Sequence, residues 1–192
     1  MAFVVMPAAV PECADSALTG RELALLNAQR KAQAVARQCP DQVVLAADTV
    51  VCLGAVVYGK PRDRAEAARM LGELQGRTHK VITGVVLVHA RAGWRRAFAE
   101  VTDVTFRALS ADGIAAYLAA VDPLDKAAAY AIQERDATIV EAINGSFTNV
   151  VGLPLERVQA ELKQYRAVLC STGEAGARRT SGSRSRFRRG RR

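Results

Sequence analysis

The segment Val43-Val-Leu-Ala-Ala-Asp48-Thr49-Val-Val51 decides the fold. It is too apolar and too rich in β-branched residues for a surface helix, and it therefore predicts a buried strand. Its one carboxylate, Asp48, stands near the end of that strand. An ionised carboxylate inside an apolar strand is unfavourable unless it is paired, hydrogen-bonded or bound to a metal. Asp48 must therefore have a compensating partner.

Two interpretations of Asp48 are open at this point. In the first, Asp48 is structural, and the neighbouring backbone or Thr49 satisfies it. In the second, Asp48 is a metal ligand or a general base at the carboxyl end of a strand, where clefts of α/β proteins commonly bind ligands.

Local signals on both sides of this strand predict the other elements. Capping boxes that start at Thr19 and at Asp63 predict two helices, the first ending near Gln38. Further along, the sequence predicts a hairpin over 81–89 and 97–106, a helix after Ser110, a strand over 138–143 and a last helix from Pro154 to about Tyr165. Residues 3–10 predict a short first strand that leads to Glu12. This order of strands and helices indicates an α/β protein.

The positive charge of the chain is confined to its end. The formal net charge is +8, but residues 177–192 contain eight arginines and no acidic residue. The first 176 residues therefore contain nineteen basic and nineteen acidic residues. We expect residues 169–192 to form a disordered, arginine-rich tail, because Gly, Ser and Arg dominate it without apolar periodicity.

Composition excludes several classes of protein. Half of the 192 residues are apolar, which is ordinary for a globular chain and argues against a fibrous or wholly disordered one. The four cysteines form no Cys-x-x-Cys pair, so a reducing, cytoplasmic compartment is the simpler expectation. The apolar start lacks a basic region, and no run of 18 apolar residues occurs, so we expect neither a signal peptide nor a membrane span.

Two lysines in turns complete a candidate polyphosphate site. Lys60 lies in a Gly-Lys-Pro turn, and Lys126 follows Asp125 before a run of small residues. A lone lysine in a turn is usually only solvated. Together with Asp48, however, the two lysines provide what a polyphosphate site needs: cations for the phosphates, and an acid that holds Mg²⁺ or orients water.

Six motifs, taken in order, resemble those of the Maf family of nucleoside triphosphate pyrophosphatases. Each motif alone would be weak evidence, but the combination is specific and covers roughly residues 4–165. The motifs are Val44–Val51, Gly59–Asp63, Glu66–Leu71, Leu74–Val85, Pro123–Gln133 and Asn144–Leu155.

The resemblance implies a fold and an activity. The fold would be a mixed twisted sheet with flanking helices and two lobes around a cleft, with the family domain over 1–168. The activity would be hydrolysis of nucleoside triphosphates to the monophosphate and pyrophosphate, with a divalent cation such as Mg²⁺ or Mn²⁺. The stretch 101–107 resembles the subgroup that acts on dTTP and UTP. The resemblance also suggests a homodimer.

The resemblance further implies roles for individual residues. Asp48 matches the position of the general base, which also lies beside the metal, and Glu12 matches an acidic residue that faces the metal. The positions that match substrate-binding residues are Thr49 and Gln133, tied to substrate choice, and Lys31 and Lys60, on the phosphate side. Lys126 joins them from the turn that precedes the small-residue run.

The chain departs from the family pattern in two places. Nothing before Phe3 matches the Ser-x-Ser-Pro-Arg-Arg segment that normally supplies a serine and two arginines to the triphosphate. Ala128 stands where the family has glycine, and alanine would strain the loop if that position has a positive φ.

These departures keep two alternatives open beside the hydrolase. One is a catalytically impaired, nucleotide-binding member of the family. The other is non-specific binding of nucleic acid or another polyanion through the arginine tail, which would be steeply salt-dependent. For the arginines themselves, the alternative to polyanion binding is a read-through or frameshifted tail without any selected role.

Overall fold

The computed structural model describes residues 2–132 and 139–180, with side chains up to Ala167. Residues 1–155 form one compact unit, and the chain from Glu156 onward belongs to a second. The predicted boundary at 168/169 stays a prediction.

A five-stranded sheet forms the centre of the first unit. Its strands are β1 (Val44–Leu53), β2 (Val56–Tyr58), β3 (Thr78–His89), β4 (Trp94–Phe106) and β5 (Val140–Asn144), in the spatial order β2-β1-β3-β4-β5. Every pairing between these described strands is antiparallel. The predicted α/β class is confirmed.

The first unit also contains four helices, α1 (Gly20–Gln38), α2 (Arg64–Leu74), α3 (Ala111–Ala120) and α4 (Phe147–Val151), and a short 3₁₀ turn at Ala127–Ala129. A fifth helix, α5 (Leu155–Thr180), belongs almost entirely to the second unit. The Thr19 side chain accepts from the backbone N–H of Glu22, and the Glu22 carboxylate accepts from the N–H of Thr19, so the predicted capping box is confirmed. Asp63 and Ser110 cap α2 and α3 by accepting from the backbone N–H groups of Glu66 and Gly113. The reciprocal half of the capping box predicted at Asp63 is not formed, because the Glu66 carboxylate accepts from the N–H of Arg62 instead.

Alternate residues of the strands face opposite sides of the sheet. Val50 of β1 and Ile82 of β3 pack against Leu23 and Ala24 of α1 on one side. On the other side, Val51 and its neighbours pack with the apolar residues of α2 and α3. This period of two, with an apolar layer on each face, is why the strand sequences read as almost continuous apolar runs.

Gly84 allows α1 to lie directly on the sheet. It pairs with Asp48 across β1 and β3. A Cβ at Gly84 would lie 2.4 Å from the backbone carbon of Ala24 and 2.5 Å from its oxygen, so only glycine permits this approach. Side chains of α1 can consequently reach Asp48, which lies on the same face.

The two ends of the chain differ from the predictions. Residues 3–10 form no strand, and Phe3 and Val4 are 83% and 87% exposed. Apolar, β-branched sequence suggested a strand there, but no neighbouring strand among the described residues pairs with it. At the other end, α5 extends to Thr180, beyond the predicted end near Tyr165. Residues 166–180 contain no proline, and their commonest residues are alanine and arginine, three of each, which favour helix.

None of the helices in the described parts of the chain combines the length and the apolar character that crossing a bilayer requires.

Candidate functional site

Asp48 is buried and charge-compensated. Its side chain is 8% exposed, and its Oδ1 lies 2.6 Å from the Nζ of Lys31. Asn27 donates from Nδ2 to the other carboxylate oxygen at 3.3 Å. Both partners come from α1, which Gly84 brings against this face of the sheet. The structure thus supplies the compensation that the sequence demands, through α1 rather than through Thr49.

Lys31 bridges two carboxylates. Its Nζ also donates to Oε1 of Glu12 at 2.8 Å. The side chain of Lys31 is 24% exposed, and that of Glu12 is 48% exposed. One ammonium group therefore lies at the point on which both carboxylates converge, although Glu12, Lys31 and Asp48 come from three separate parts of the chain.

Asn27 fixes the segment that carries Glu12. Its Oδ1 accepts from the backbone N–H of Cys13 at 2.8 Å, and its Nδ2 donates to the Cys13 carbonyl at 3.2 Å. Asn27 is 4% exposed and contacts Asp48 at the same time. It is a site residue that the sequence analysis missed. Its placement one helical turn before Lys31 is the signal that could have found it.

Burial and pairing act on the pKa values of the three charged groups. Burial raises the pKa of Asp48, against the opposing effect of the Lys31 ammonium. The hydrogen bond from Lys31 lowers the pKa of Glu12. Although burial disfavours its charged form, hydrogen bonds to Asp48 and Glu12 raise the pKa of Lys31. The site therefore holds a cation between two carboxylates.

Asp48 and Thr49 lie at an open edge of the sheet. β2 pairs with only Val51, Cys52 and Leu53 of β1. Among the described residues, the preceding part of β1 pairs only on its β3 side, which leaves its other edge facing a cleft. Asp48 points to one side of the sheet at this edge, and Thr49 points to the other.

Thr49 is hydrogen-bonded to a buried polar network that includes Thr83, Asn149 and Thr102. Its Oγ1 shares a hydrogen bond of 2.9 Å with the Oγ1 of Thr83, which donates at 3.2 Å to the carbonyl of Asn149 in α4. Asn149 donates from Nδ2 to the Val81 carbonyl at 3.1 Å and to Thr102 Oγ1 at 3.0 Å. The motif Asn144–Leu155 contains Asn149, but the sequence analysis gave Asn149 no role and did not predict α4, because a polar residue in a five-residue helix gives no periodic signal.

The two predicted turn lysines meet at the same cleft. The backbone N–H of Ala128 donates to the carbonyl of Gly59 at 2.9 Å, which joins the turn of Lys60 to the turn of Lys126. Lys126 also pairs with Asp125 at 2.8 Å. The hydrogen bond from Lys126 lowers the pKa of Asp125, with a smaller contribution from the charge of Lys60.

The turn after Lys126 has left-handed backbone. Ala128 has a φ of 54° and Ala129 a φ of 65°. Alanine suffers a steric penalty in this region that glycine does not. The structure therefore confirms that position 128 has the positive φ at which alanine is strained.

One cleft of about 1000 Å³ collects most of the predicted site residues. It is lined by Glu12, Lys31, Asp48, Thr49, Lys60 and Lys126, among others. Gln133, the remaining predicted substrate-binding residue, lies outside the described residues. A volume of this size is in the range of sites for small molecules.

The donor set suits a divalent cation that is shared with phosphate. No group of three or more His, Cys, Asp or Glu side chains suited to a metal occurs in the described part of the chain. Glu12 and Asp48 nevertheless present two converging carboxylates beside an open cleft. Mg²⁺ is commonly bound by one or two carboxylates together with substrate phosphates. The residues present therefore fit an ion that arrives with a phosphorylated ligand.

Comparisons with known proteins agree with this chemistry. A family model described as Maf-like protein matches residues 1–165. The chain is 48% identical over 155 residues to a dTTP/UTP pyrophosphatase of Gloeobacter violaceus, which covers 81% of this chain and 80% of that protein. It is 44% identical over 165 residues to a dTTP/UTP pyrophosphatase of Pelotomaculum thermopropionicum, which covers 86% of each chain. A dTTP/UTP pyrophosphatase of Bacillus velezensis is 46% identical over 139 residues, 72% of each chain.

Proposed function

The chain belongs to the Maf family, and from this premise we propose that it hydrolyses pyrimidine nucleoside triphosphates, dTTP and UTP above all, to the monophosphate and pyrophosphate. The observation that carries the proposal is the convergence of Glu12, Lys31 and Asp48 in a cleft that Lys60 and Lys126 also line. The choice of dTTP and UTP rests on the names of the relatives.

The reaction breaks the anhydride between the α- and β-phosphoryl groups. A water oxygen forms a bond to the α-phosphorus, and the bond from that phosphorus to the bridging oxygen breaks, with pyrophosphate as the leaving group. The water loses its proton in this step. Asp48 is the residue we assign to orient the water and accept the proton, because it is the buried carboxylate at the open edge of β1.

Burial suits Asp48 to this task. A carboxylate with a pKa raised by burial is a stronger base than an exposed one. Asn27 holds one of its oxygens, so the carboxylate keeps a fixed orientation. The other oxygen, Oδ1, is the one that contacts Lys31.

The lysines neutralise the polyphosphate. Lys60 and Lys126 reach the cleft from two turns that the hydrogen bond between Ala128 and Gly59 joins. Positive groups fixed around a transferring phosphoryl group stabilise the charge that develops in the transition state. A divalent cation held by Glu12 and Asp48 would supply further charge neutralisation when bound.

Product analysis of the full chain tests the proposal. The chain should release pyrophosphate and monophosphate in equal amounts from dTTP and UTP, in the presence of Mg²⁺ or Mn²⁺, and release less from ATP and GTP. Release of orthophosphate would place the cleavage at another bond. Tight binding of nucleotide without any turnover would instead favour the impaired, nucleotide-binding alternative. The strained, left-handed alanines beside Lys126 are the feature of the cleft that motivates this alternative.

The proposal also includes the compartment of the protein, its oligomeric state and the role of its tail. The spacing of the four cysteines supports a reducing, cytoplasmic compartment. The homodimer and the binding of polyanions through the tail stay predictions from the sequence. Sedimentation of the full chain tests the first. Comparing RNA and DNA binding before and after removal of residues 172–192 tests the second, since unchanged binding would exclude the tail.

A further inference from the structure

Lys31 occupies the position that a bound cation would take. Its Nζ lies 2.8 Å from Glu12 and 2.6 Å from Asp48, and these are the two carboxylates that fit a divalent ion. An ammonium group and a metal ion cannot both occupy the point where the carboxylate oxygens converge. The two cations therefore compete for one pair of ligands.

We propose that Lys31 is the resident counter-cation of these two carboxylates in the free protein, and that it must leave them before a divalent cation binds there. The proposal rests on the proposed function, since it concerns the same cleft. It assigns Lys31 two positions: between the carboxylates in the free protein, and facing the phosphates once nucleotide and cation are bound.

The surroundings of Lys31 allow this exchange. Its side chain is 24% exposed, so the flexible stem has a route into the cleft. Asn27 independently holds the Asp48 carboxylate and the Cys13 backbone next to Glu12, so Asp48 and the backbone at Glu12 keep their positions without the lysine. The exchange then needs movement of the Lys31 side chain and, at most, reorientation of the half-exposed Glu12 side chain.

The exchange has a consequence for binding order. In the absence of nucleotide, a released ammonium gives up both carboxylates with which it pairs among the described residues. Polyphosphate in the cleft provides a multiply charged replacement. Divalent cation alone should therefore bind weakly, and cation with polyphosphate should bind much more tightly, because the phosphates compensate Lys31.

Binding of Mn²⁺ to the full chain without nucleotide tests the proposal, measured by calorimetry or by the paramagnetic resonance of the free ion. Lys31→Met should bind Mn²⁺ at least about tenfold more tightly than wild type, because a full positive charge beside the ligands is removed. Lys31→Arg keeps the charge and should bind as weakly as wild type. The matched control is Lys80→Met, which breaks a surface pair with Asp103 at 2.8 Å outside the cleft and should change nothing. Unchanged or weaker Mn²⁺ binding by Lys31→Met would overturn the proposal.

A measurement on the wild-type chain avoids any dependence on how Lys31→Met folds. Acetic anhydride labelling, read by mass spectrometry, reports how accessible each lysine amine is. Addition of Mn²⁺ with imidodiphosphate, a non-hydrolysable diphosphate, should change the labelling rate of Lys31 and leave that of Lys80 unaltered. An identical Lys31 rate with and without these ligands, at saturating concentration, would contradict displacement.

The two hypotheses fail separately. Should Lys31→Met bind Mn²⁺ more tightly while the wild-type chain hydrolyses no triphosphate, the counter-cation role stands and the proposed function is wrong. Should the wild-type chain release pyrophosphate while Lys31→Met gains no Mn²⁺ affinity, the proposed function stands and the counter-cation role is wrong.

Discussion

The backbone N–H of Ala128 donates a hydrogen bond of 2.9 Å to the carbonyl oxygen of Gly59. This bond connects two turns that are far apart in sequence, and each turn carries a lysine of the cleft. Its donor, Ala128, has a left-handed backbone conformation, with a φ of 54°. The link between the turns of Lys60 and Lys126 thus includes a strained residue.

Replacing Ala128 by glycine should change the stability of the protein little. Relief of left-handed alanine contributes about 1–2 kcal/mol, whereas the freer unfolded chain of glycine costs about 0.5–1 kcal/mol and the loss of a fully buried methyl group about 0.8 kcal/mol. We therefore expect the free energy of unfolding, measured in urea titration, to stay within about 1 kcal/mol of wild type. Ala127→Gly, next to the left-handed pair, relieves no strain and should lower it by about 0.5–1 kcal/mol. A loss of clearly more than about 1 kcal/mol for Ala128→Gly would mean that the turn is not strained.

Asn27→Ala should destabilise the chain and impair the site. The substitution removes hydrogen bonds to both backbone groups of Cys13 and to Asp48. Loss of one partner from buried polar groups costs about 1–3 kcal/mol. We expect a fall of that size in unfolding free energy, together with slower pyrophosphate release. Gln29→Ala on the same helix removes only a surface bond to Arg95 and should stay within about 0.5 kcal/mol of wild type.

Gly84→Ala tests the close approach of α1 to the sheet. A Cβ at this position would overlap the backbone of Ala24, so α1 must move away or the strand must bend. Overpacking of this kind costs at least about 1–3 kcal/mol. Gly72 is the matched control, because its Cβ would meet open space within α2, where alanine should add about 0.5–1 kcal/mol. Equal stability of the two variants would contradict the packing described.

His79 should give the protein a specific sensitivity to acid. It is 1% exposed and packs edge-on against Phe106, and burial lowers its pKa to about 4. The ordinary pKa of histidine is near 6.5. Between that pH and about pH 4, the unfolded chain therefore binds up to one more proton than the folded chain. Stability is present above that window and is lost as the pH falls through it, with a slope of at most about 1.4 kcal/mol per pH unit.

The measurement is unfolding free energy against pH for wild type and His79→Gln. Glutamine cannot titrate, so this part of the acid dependence should vanish in the variant. Tyr130→Phe removes the hydroxyl that lies 2.9 Å from His79 Nε2 but keeps the buried ring, and it should retain the slope. Parallel curves for wild type and His79→Gln would show that His79 titrates alike in both states.

Local chemistry made much of the fold predictable. The capping residues Thr19, Asp63 and Ser110 define where α1, α2 and α3 begin, because a helix start must satisfy its free N–H groups within a few residues. The hairpin of β3 and β4 follows equally from a short turn between apolar runs. Residues 3–10 have the composition of a strand as well, yet pairing requires a neighbour, and composition carries no information about one.

The sequence predicted that Asp48 needs a compensating partner, but it did not predict which residues provide the compensation. Asp48 had to be compensated, because burial of an unpaired carboxylate is unfavourable. That Lys31 and Asn27 provide the compensation depends on which face of α1 meets the sheet and on how closely Gly84 lets it approach. Contacts between residues so far apart in sequence cannot be predicted from local patterns. The same holds for the hydrogen bonds that join Thr49 and Thr83 to Asn149.

The rate of pyrophosphate release by Asp48→Asn, compared with wild type on dTTP or UTP with saturating Mg²⁺ or Mn²⁺, tests the central claim most directly. Asparagine keeps the size of the side chain but cannot accept the proton, and removal of a general base lowers rates by about 10²–10⁴-fold. Asp103→Asn, which alters only the surface pair with Lys80, should remain near the wild-type rate. For Asp48→Asn we expect the rate of pyrophosphate release to fall by at least about a hundredfold. Full activity in Asp48→Asn would contradict the assignment of Asp48 as the base.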